Sequence, residues 1–244
     1  MSERCPQAIE AEILLQRVES EPWERLSAVR LLRDIAIAQE YVSVEPMIRL
    51  LVQSASREDS PEVLTEIIGT IGTVASPLGL SVLTANVFAE SSSVREAVAA
   101  NLPFLVDETN AVQIEEALVT LMSDESASVR DWATLGVGSQ ALLTDMAEYF
   151  MSSLRARTAL IQRAELDTDP EVRGEALLGL ARRSDPEAVR LVGAELQGYS
   201  VSRNVLEAAI LLSDPRLERS LQVLNSWWTD DPKLLKKAIE VSSS

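Results

Sequence analysis

The sequence predicts an all-α solenoid of about six to seven stacked helix pairs, and three observations carry that prediction. The first is a recurrence. Residues 128–138 (SVRDWATLGVG) return as residues 171–181 (EVRGEALLGLA), and residues 93–103 (SVREAVAANLP) are a fainter copy one unit earlier. Val129-Arg130 follows Val94-Arg95 by 35 residues and precedes Val172-Arg173 by 43, a period typical of stacked helix pairs. The second is helical spacing inside each unit. Val172, Ala176, Leu177 and Leu180 form one apolar stripe of an amphipathic helix. The third is composition: hydrophobic residues make up 46% of the 244 positions but aromatics only 4%. A core of Leu, Ala, Val and Ile favours helix-on-helix packing over a sheet.

The helices follow in order. Residues 7–19 and 22–39 make the first pair, with Pro22 in the first turn, where a missing N–H costs nothing. Residues 45–55 and 60–75 make the second, Ser60 serving as N-cap before Pro61. Residues 76–89 and 92–106 form the third, in which Pro103 should kink or fray the second helix. Residues 110–122 and 127–139 form the fourth. Residues 140–166 are the one irregularity, implying a longer first helix or an extra turn. There Tyr149, Phe150, Met151 and Leu154 can cover neighbouring helices, while Arg155, Arg157 and Arg163 form an isolated basic strip. Residues 169–183, 185–197 and 202–212 continue the array. A last pair over 214–241 caps it, with Trp227 and Trp228 covering the end and their indole N–H groups free to stay wet. Gly136 and Gly179 occupy the same place in their helices, and a recurrent mid-helix Gly points to close helix–helix approach.

Asp169-Pro170-Glu171-Val172-Arg173-Gly174-Glu175-Ala176 followed by Gly179-Leu180-Ala181-Arg182-Arg183, with Val129-Arg130-Asp131-Trp132-Ala133-Thr134 before it, resembles a HEAT-type repeat. The resemblance is to the bacterial HEAT-like class first noted in phycobilisome lyases, strongest over 124–197 and weaker over 60–106. It implies a right-handed solenoid in a single domain, 1–244, with second helices lining the concave face. Such proteins share a scaffold while ranging from binding modules to lyases, so the fold does not fix an activity. A bilin-lyase-like enzyme or chaperone using concave carboxylates is the alternative that this resemblance carries.

Charge narrows the function. A net charge of −16 opposes nucleic-acid backbones and anionic membrane surfaces alike. Residues 61–125 alone hold ten acids against one base, Arg95, so a basic protein partner is expected. The three lysines, Lys233, Lys236 and Lys237, all lie near the C-terminal end. With no His and a single Cys, Cys5, ordinary zinc or iron sites and His-dependent nucleophilic triads have no ligands or bases to draw on. No Gly-rich phosphate loop appears. The expectation is a non-catalytic scaffold without metal or cofactor, monomeric and cytoplasmic, since no 18-residue apolar run or signal-peptide pattern is present.

Two columns of residues emerge when the second helices are aligned. Arg95, Arg130 and Arg173 share one position and are expected to link repeats through an acidic side chain or carbonyl of the adjoining turn, with Asp124 and Asp167 as candidate acceptors. Glu66, Ala97, Trp132, Glu175 and Glu207 share another. An aromatic among carboxylates fits an anchor for a basic or amphipathic peptide, so Glu66, Trp132, Glu175 and Glu207 are the candidate partner-binding residues. The alternative has Trp132 packed between repeats and the glutamates merely solvated.

Overall fold

The computed structural model describes residues 6–17, 20–38 and 44–243. Cys5 and the expected ends of the first two helices, at residues 18–19 and 39, lie outside them. The described residues hold fifteen α-helices and no strand. The helices are α1 Pro6–Gln16, α2 Pro22–Ile37, α3 Glu45–Ala55, α4 Pro61–Val74, α5 Leu80–Ala85, α6 Ser92–Asn101, α7 Ala111–Leu121 and α8 Ala127–Gly138. They continue as α9 Ala147–Ser152, α10 Leu154–Leu166, α11 Pro170–Arg182, α12 Ala188–Glu195, α13 Arg203–Leu212, α14 Glu218–Leu224 and α15 Pro232–Ser242. None is long and apolar enough to cross a membrane.

The chain divides into two compact units, Met1–Ala117 and Leu118–Ser244, at a point within α7. In the first unit the second helices α2, α4 and α6 pack in sequence over a core that includes Leu32, Ile48, Ile67, Ile71 and Leu102. In the second, α11 packs against α8, α10 and α13, and α13 against α15.

The helix starts are local and chemical. The Asp169 carboxylate accepts from the Glu171 N–H at 2.9 Å and the Asp231 carboxylate from the Leu234 N–H at 3.0 Å, each just before a proline at the first helical position. A buried valine then stands at the third position of five second helices: Val63, Val94, Val129, Val172 and Val205. Pro103 acts as expected, since α6 stops at Asn101 and Leu102–Leu105 tightens into a 3₁₀ turn.

Two details differ from the sequence reading and two others refine it. The irregular stretch 140–166 takes the extra-turn alternative: it holds a 3₁₀ turn and a separate short helix, α9, ahead of α10. Phe150 of α9 is fully buried, and its carbonyl accepts from Arg183. The basic strip expected there is neutralised rather than isolated: Arg157 meets Asp185 at 2.5 Å and Arg163 meets Asp167 at 3.3 Å. The close helix approach predicted at Gly179 is real, and the residue it meets is Gly138 of α8. A Cβ on Gly179 would sit 2.8 Å from the Gly138 Cα, so α8 and α11 touch backbone to backbone. At the C-terminal end, Trp228 is buried and its indole N–H donates to the Val201 carbonyl at 2.9 Å instead of staying wet, while Trp227 is 45% exposed.

Candidate protein-binding site

The arginine column has one geometry. Each arginine occupies the fourth position of its helix and turns back to the carbonyls five and six residues before it. Arg95 donates to Ala89 and Glu90 at 2.8 and 3.0 Å, Arg130 to Asp124 and Glu125 at 3.0 and 3.1 Å, and Arg173 to Asp167 and Thr168 at 3.1 and 3.2 Å. The remaining guanidinium nitrogens reach forward. Arg130 grips the Asp167 carboxylate through two 2.8 Å bonds, and Arg173 grips Glu195 at 2.8–3.0 Å. Asp124 and Asp167 thus serve their own arginines through backbone carbonyls, while the Asp167 carboxylate belongs to the preceding repeat's arginine. Arg25 is a fourth member that the sequence alignment missed. It bonds the Ser20 carbonyl and takes Glu58 through two 2.8 Å bonds. Its signal was the proline three residues earlier, as at Pro170 before Arg173, hidden because Glu24 replaces the usual valine.

The carboxylate column is more varied. Glu66, in the first unit, is held by Arg30 at 2.9 Å and by Arg33. The other three lie in the second unit. Glu175 is only 5% exposed and accepts from the Ser139 hydroxyl and the Asn204 amide, both at 2.8 Å. It ties the end of α8 to α11 and α13. Burial pushes its carboxyl upward, the Ser139 bond and Arg182 partly offset this, and the charges of Asp131 and Glu207 add to the rise. Glu207 pairs with Arg203 at 3.2 Å on its own helix. Trp132 is half-buried on α8, neither sealed between helices nor fully open.

The electrostatic focus is a residue outside the predicted column. Asp131, beside Trp132, is half-buried and has neither a cation nor a hydrogen-bond donor among the described residues. Burial, together with the charges of Glu171, Asp169 and Asp167, pushes its carboxyl up to about 6. Glu171 is raised too, by partial burial of its carboxyl and by Asp169 and Asp230. Elsewhere in this unit, α11, α13 and α15 line an open pocket of about 370 Å³. Leu178, Ile210, Leu211 and Leu234 form its apolar floor and Arg182, Glu207 and Lys237 its rim. The acid-rich stretch 61–125 contributes less surface charge than its count implies. Glu66 is paired, Glu115 is buried, and Asp107 and Asp124 accept from backbone N–H groups at helix starts.

Comparison with known proteins fits this architecture. The family of HEAT repeats matches residues 157–243, which include α11, α12, α13, α14 and α15. Protein YibA of Escherichia coli (strain K12) is 28% identical over 156 residues, covering 63% of this chain and 49% of YibA. The chain thus spans about half the length of the curated relative it matches. The X-ray structure of YibA superposes with a TM-score of 0.68 at 20% identity, covering 97% of this chain and 81% of that one. A designed armadillo repeat protein in complex with the peptide (KR)4 gives 0.53 at 18% identity, covering 98% and 100%. The complex of CpcE and CpcF of phycocyanin lyase from Nostoc sp. PCC7120 gives 0.54 at 14% identity, covering 100% and 97%. The fold of this chain is therefore that of the HEAT and armadillo repeat solenoids.

Proposed function

We propose that the protein is a non-catalytic scaffold that binds a basic protein segment on the second-helix face of the unit Leu118–Ser244. The observation that carries this reading is the pair Asp131 and Glu171. Both carboxylates lack a cation among the described residues, and both are held upward by burial and by neighbouring negative charge. A fold gains nothing by crowding such charges, but an incoming lysine or arginine relieves them. Trp132 beside them and the apolar cavity under Glu207 supply places for a ring contact and for an aliphatic side chain. Glu175 acts as the buried brace beneath this face, and Glu207 as part of the cavity rim. The absence of His and the single Cys support a binding role over a catalytic one. The likeness to the phycocyanin lyase complex extends to the fold alone, and no observation favours a bilin-directed activity.

A labelled octapeptide of alternating lysine and arginine tests the reading by fluorescence anisotropy, with an octapeptide of alternating aspartate and glutamate as control. Binding of the basic peptide alone is the expected result. Equal binding of both peptides, or of neither, overturns it.

A further inference from the structure

A cavity of about 170 Å³ opens between the α12–α13 connection and the segment before α15. Tyr199, Trp227, Trp228 and Asp230 line it, along with Ser200, Val201 and Thr229. Trp228 is its fixed wall, buried and anchored by the 2.9 Å bond from its indole N–H to the Val201 carbonyl. The other two rings are different. Tyr199 is fully exposed and Trp227 is 45% exposed, in a chain whose aromatic content is only 4%. An aromatic side chain left in water adds nothing to the core, and two beside one cavity point outward to a ligand.

The charge around the cavity states what kind of ligand. No lysine or arginine lines it. Arg203, two residues after Val201 in sequence, is committed to Glu207 at 3.2 Å and to Asp231 at 3.3 Å. Asp230 has no hydrogen-bond donor or cation partner among the described residues, and its charge is felt at Glu171, so the cavity borders the acidic face described above. Aromatic faces carry negative potential and attract cations, more strongly when water is displaced. A guanidinium also stacks on a ring by its flat face while its edge meets a carboxylate through two parallel bonds, which a point-like ammonium cannot do.

We propose that the Tyr199–Trp227–Asp230 cavity is a receptor for one arginine side chain of the partner. This rests on the scaffold reading and names the side chain that anchors the partner at this end of the acidic face. The guanidinium lies against Trp227 and Tyr199, with Asp230 accepting from its edge. Trp228 and Val201 form the floor and do not move.

The test is a titration of ¹⁵N-labelled protein with N-acetyl-arginine amide, followed at the tryptophan indole N–H resonances, with N-acetyl-citrulline amide as the uncharged isostere. The expected result is a saturable shift of the Trp227 resonance with the arginine compound alone. The Trp228 resonance stays in place and serves as the control for folding. In Asp230→Asn, which keeps the side-chain shape, the arginine compound binds about tenfold more weakly, the loss expected when a charge-assisted bond is replaced by a neutral one. A Trp227 resonance unmoved by arginine, an equal response to citrulline, or undiminished affinity in Asp230→Asn overturns the proposal. Should the basic octapeptide still bind in those cases, the scaffold reading survives and the arginine receptor alone is lost. Should the octapeptide fail while arginine still shifts Trp227, the receptor stands and the wider face is lost.

Discussion

Asp131→Asn should make the protein more stable at neutral pH, and the gain should vanish in acid. Burial, reinforced by Glu171, Asp169 and Asp167, raises the Asp131 carboxyl from 3.8 to about 6. A raised carboxyl holds its proton in the folded state at pH values where the unfolded chain has released it. Stability therefore falls as pH climbs from about 4 to about 6, and the whole penalty is present above that window. A displacement of this size corresponds to roughly 3 kcal/mol at full strength. Because the group is only half-buried, about 1–2 kcal/mol should survive solvent screening. Asparagine keeps the shape and removes the charge. Urea denaturation of both proteins at pH 7.5 and pH 4.0 reads the effect directly. Expected is a gain of about 1–2 kcal/mol for the variant at pH 7.5 and close to none at pH 4.0. A loss at pH 7.5, or the same gain at both pH values, would refute the reasoning. The same variant should bind a basic peptide less well, because the charge that strains the fold is the one offered to the partner.

Four further substitutions probe the frame. Gly179→Ala should destabilise by about 1–3 kcal/mol, because its Cβ would meet the Gly138 backbone. Gly193→Ala, whose Cβ would find only Leu217 at 3.5 Å, should instead gain up to about 1 kcal/mol of helix propensity, and thermal melts of the pair make the comparison. Arg130→Met should cost about 3 kcal/mol at pH 7, since it strips two bonds from Asp167, whose side chain is 1% exposed. Burial alone would raise Asp167, but the Arg130 bond and its neighbours hold it below its ordinary value. The deficit should therefore shrink as pH falls below about 4, which denaturation at pH 3 checks. Trp132→Ala should lose about 1–2 kcal/mol of stability, less than a core tryptophan, together with a measurable loss of peptide affinity. A stability loss of about 4 kcal/mol or more with unchanged affinity would make the ring a wedge between repeats.

Much of the fold was legible because its determinants are local. Prolines, serines and aspartates mark the helix starts, and the Val-Arg pairs at Val94-Arg95, Val129-Arg130 and Val172-Arg173 recur in plain view. What escaped depends on packing. Glu175 aligns with Trp132 and Glu207, so it reads as a groove residue. The contact between Gly138 and Gly179 brings α8 and α11 close where Ser139 bonds its carboxylate, and Asn204 of α13 bonds it from the other side of α11. Asp131 carries no periodic signal, since its counterpart one unit on is Gly174, and its crowding by Glu171 and Asp169 exists only once α8 lies on α11. The short helix α9 was hidden because residues 140–146 lack helical periodicity, and Arg183, which holds it through the Phe150 carbonyl, lies 33 residues away.

The central claim is that uncompensated carboxylates on the α8–α11 face recruit a basic partner. The most direct measurement is the affinity of the lysine–arginine octapeptide for the native protein and for the Asp131→Asn, Glu171→Gln double variant, at several salt concentrations. The account predicts affinity that falls steeply with salt in the native protein, because exposed charges are screened within about 8–10 Å near physiological ionic strength. It also predicts a double variant that binds at least about tenfold more weakly at low salt, with a shallower salt dependence. An affinity indifferent to salt, or a double variant that binds as well as the native protein, would contradict it.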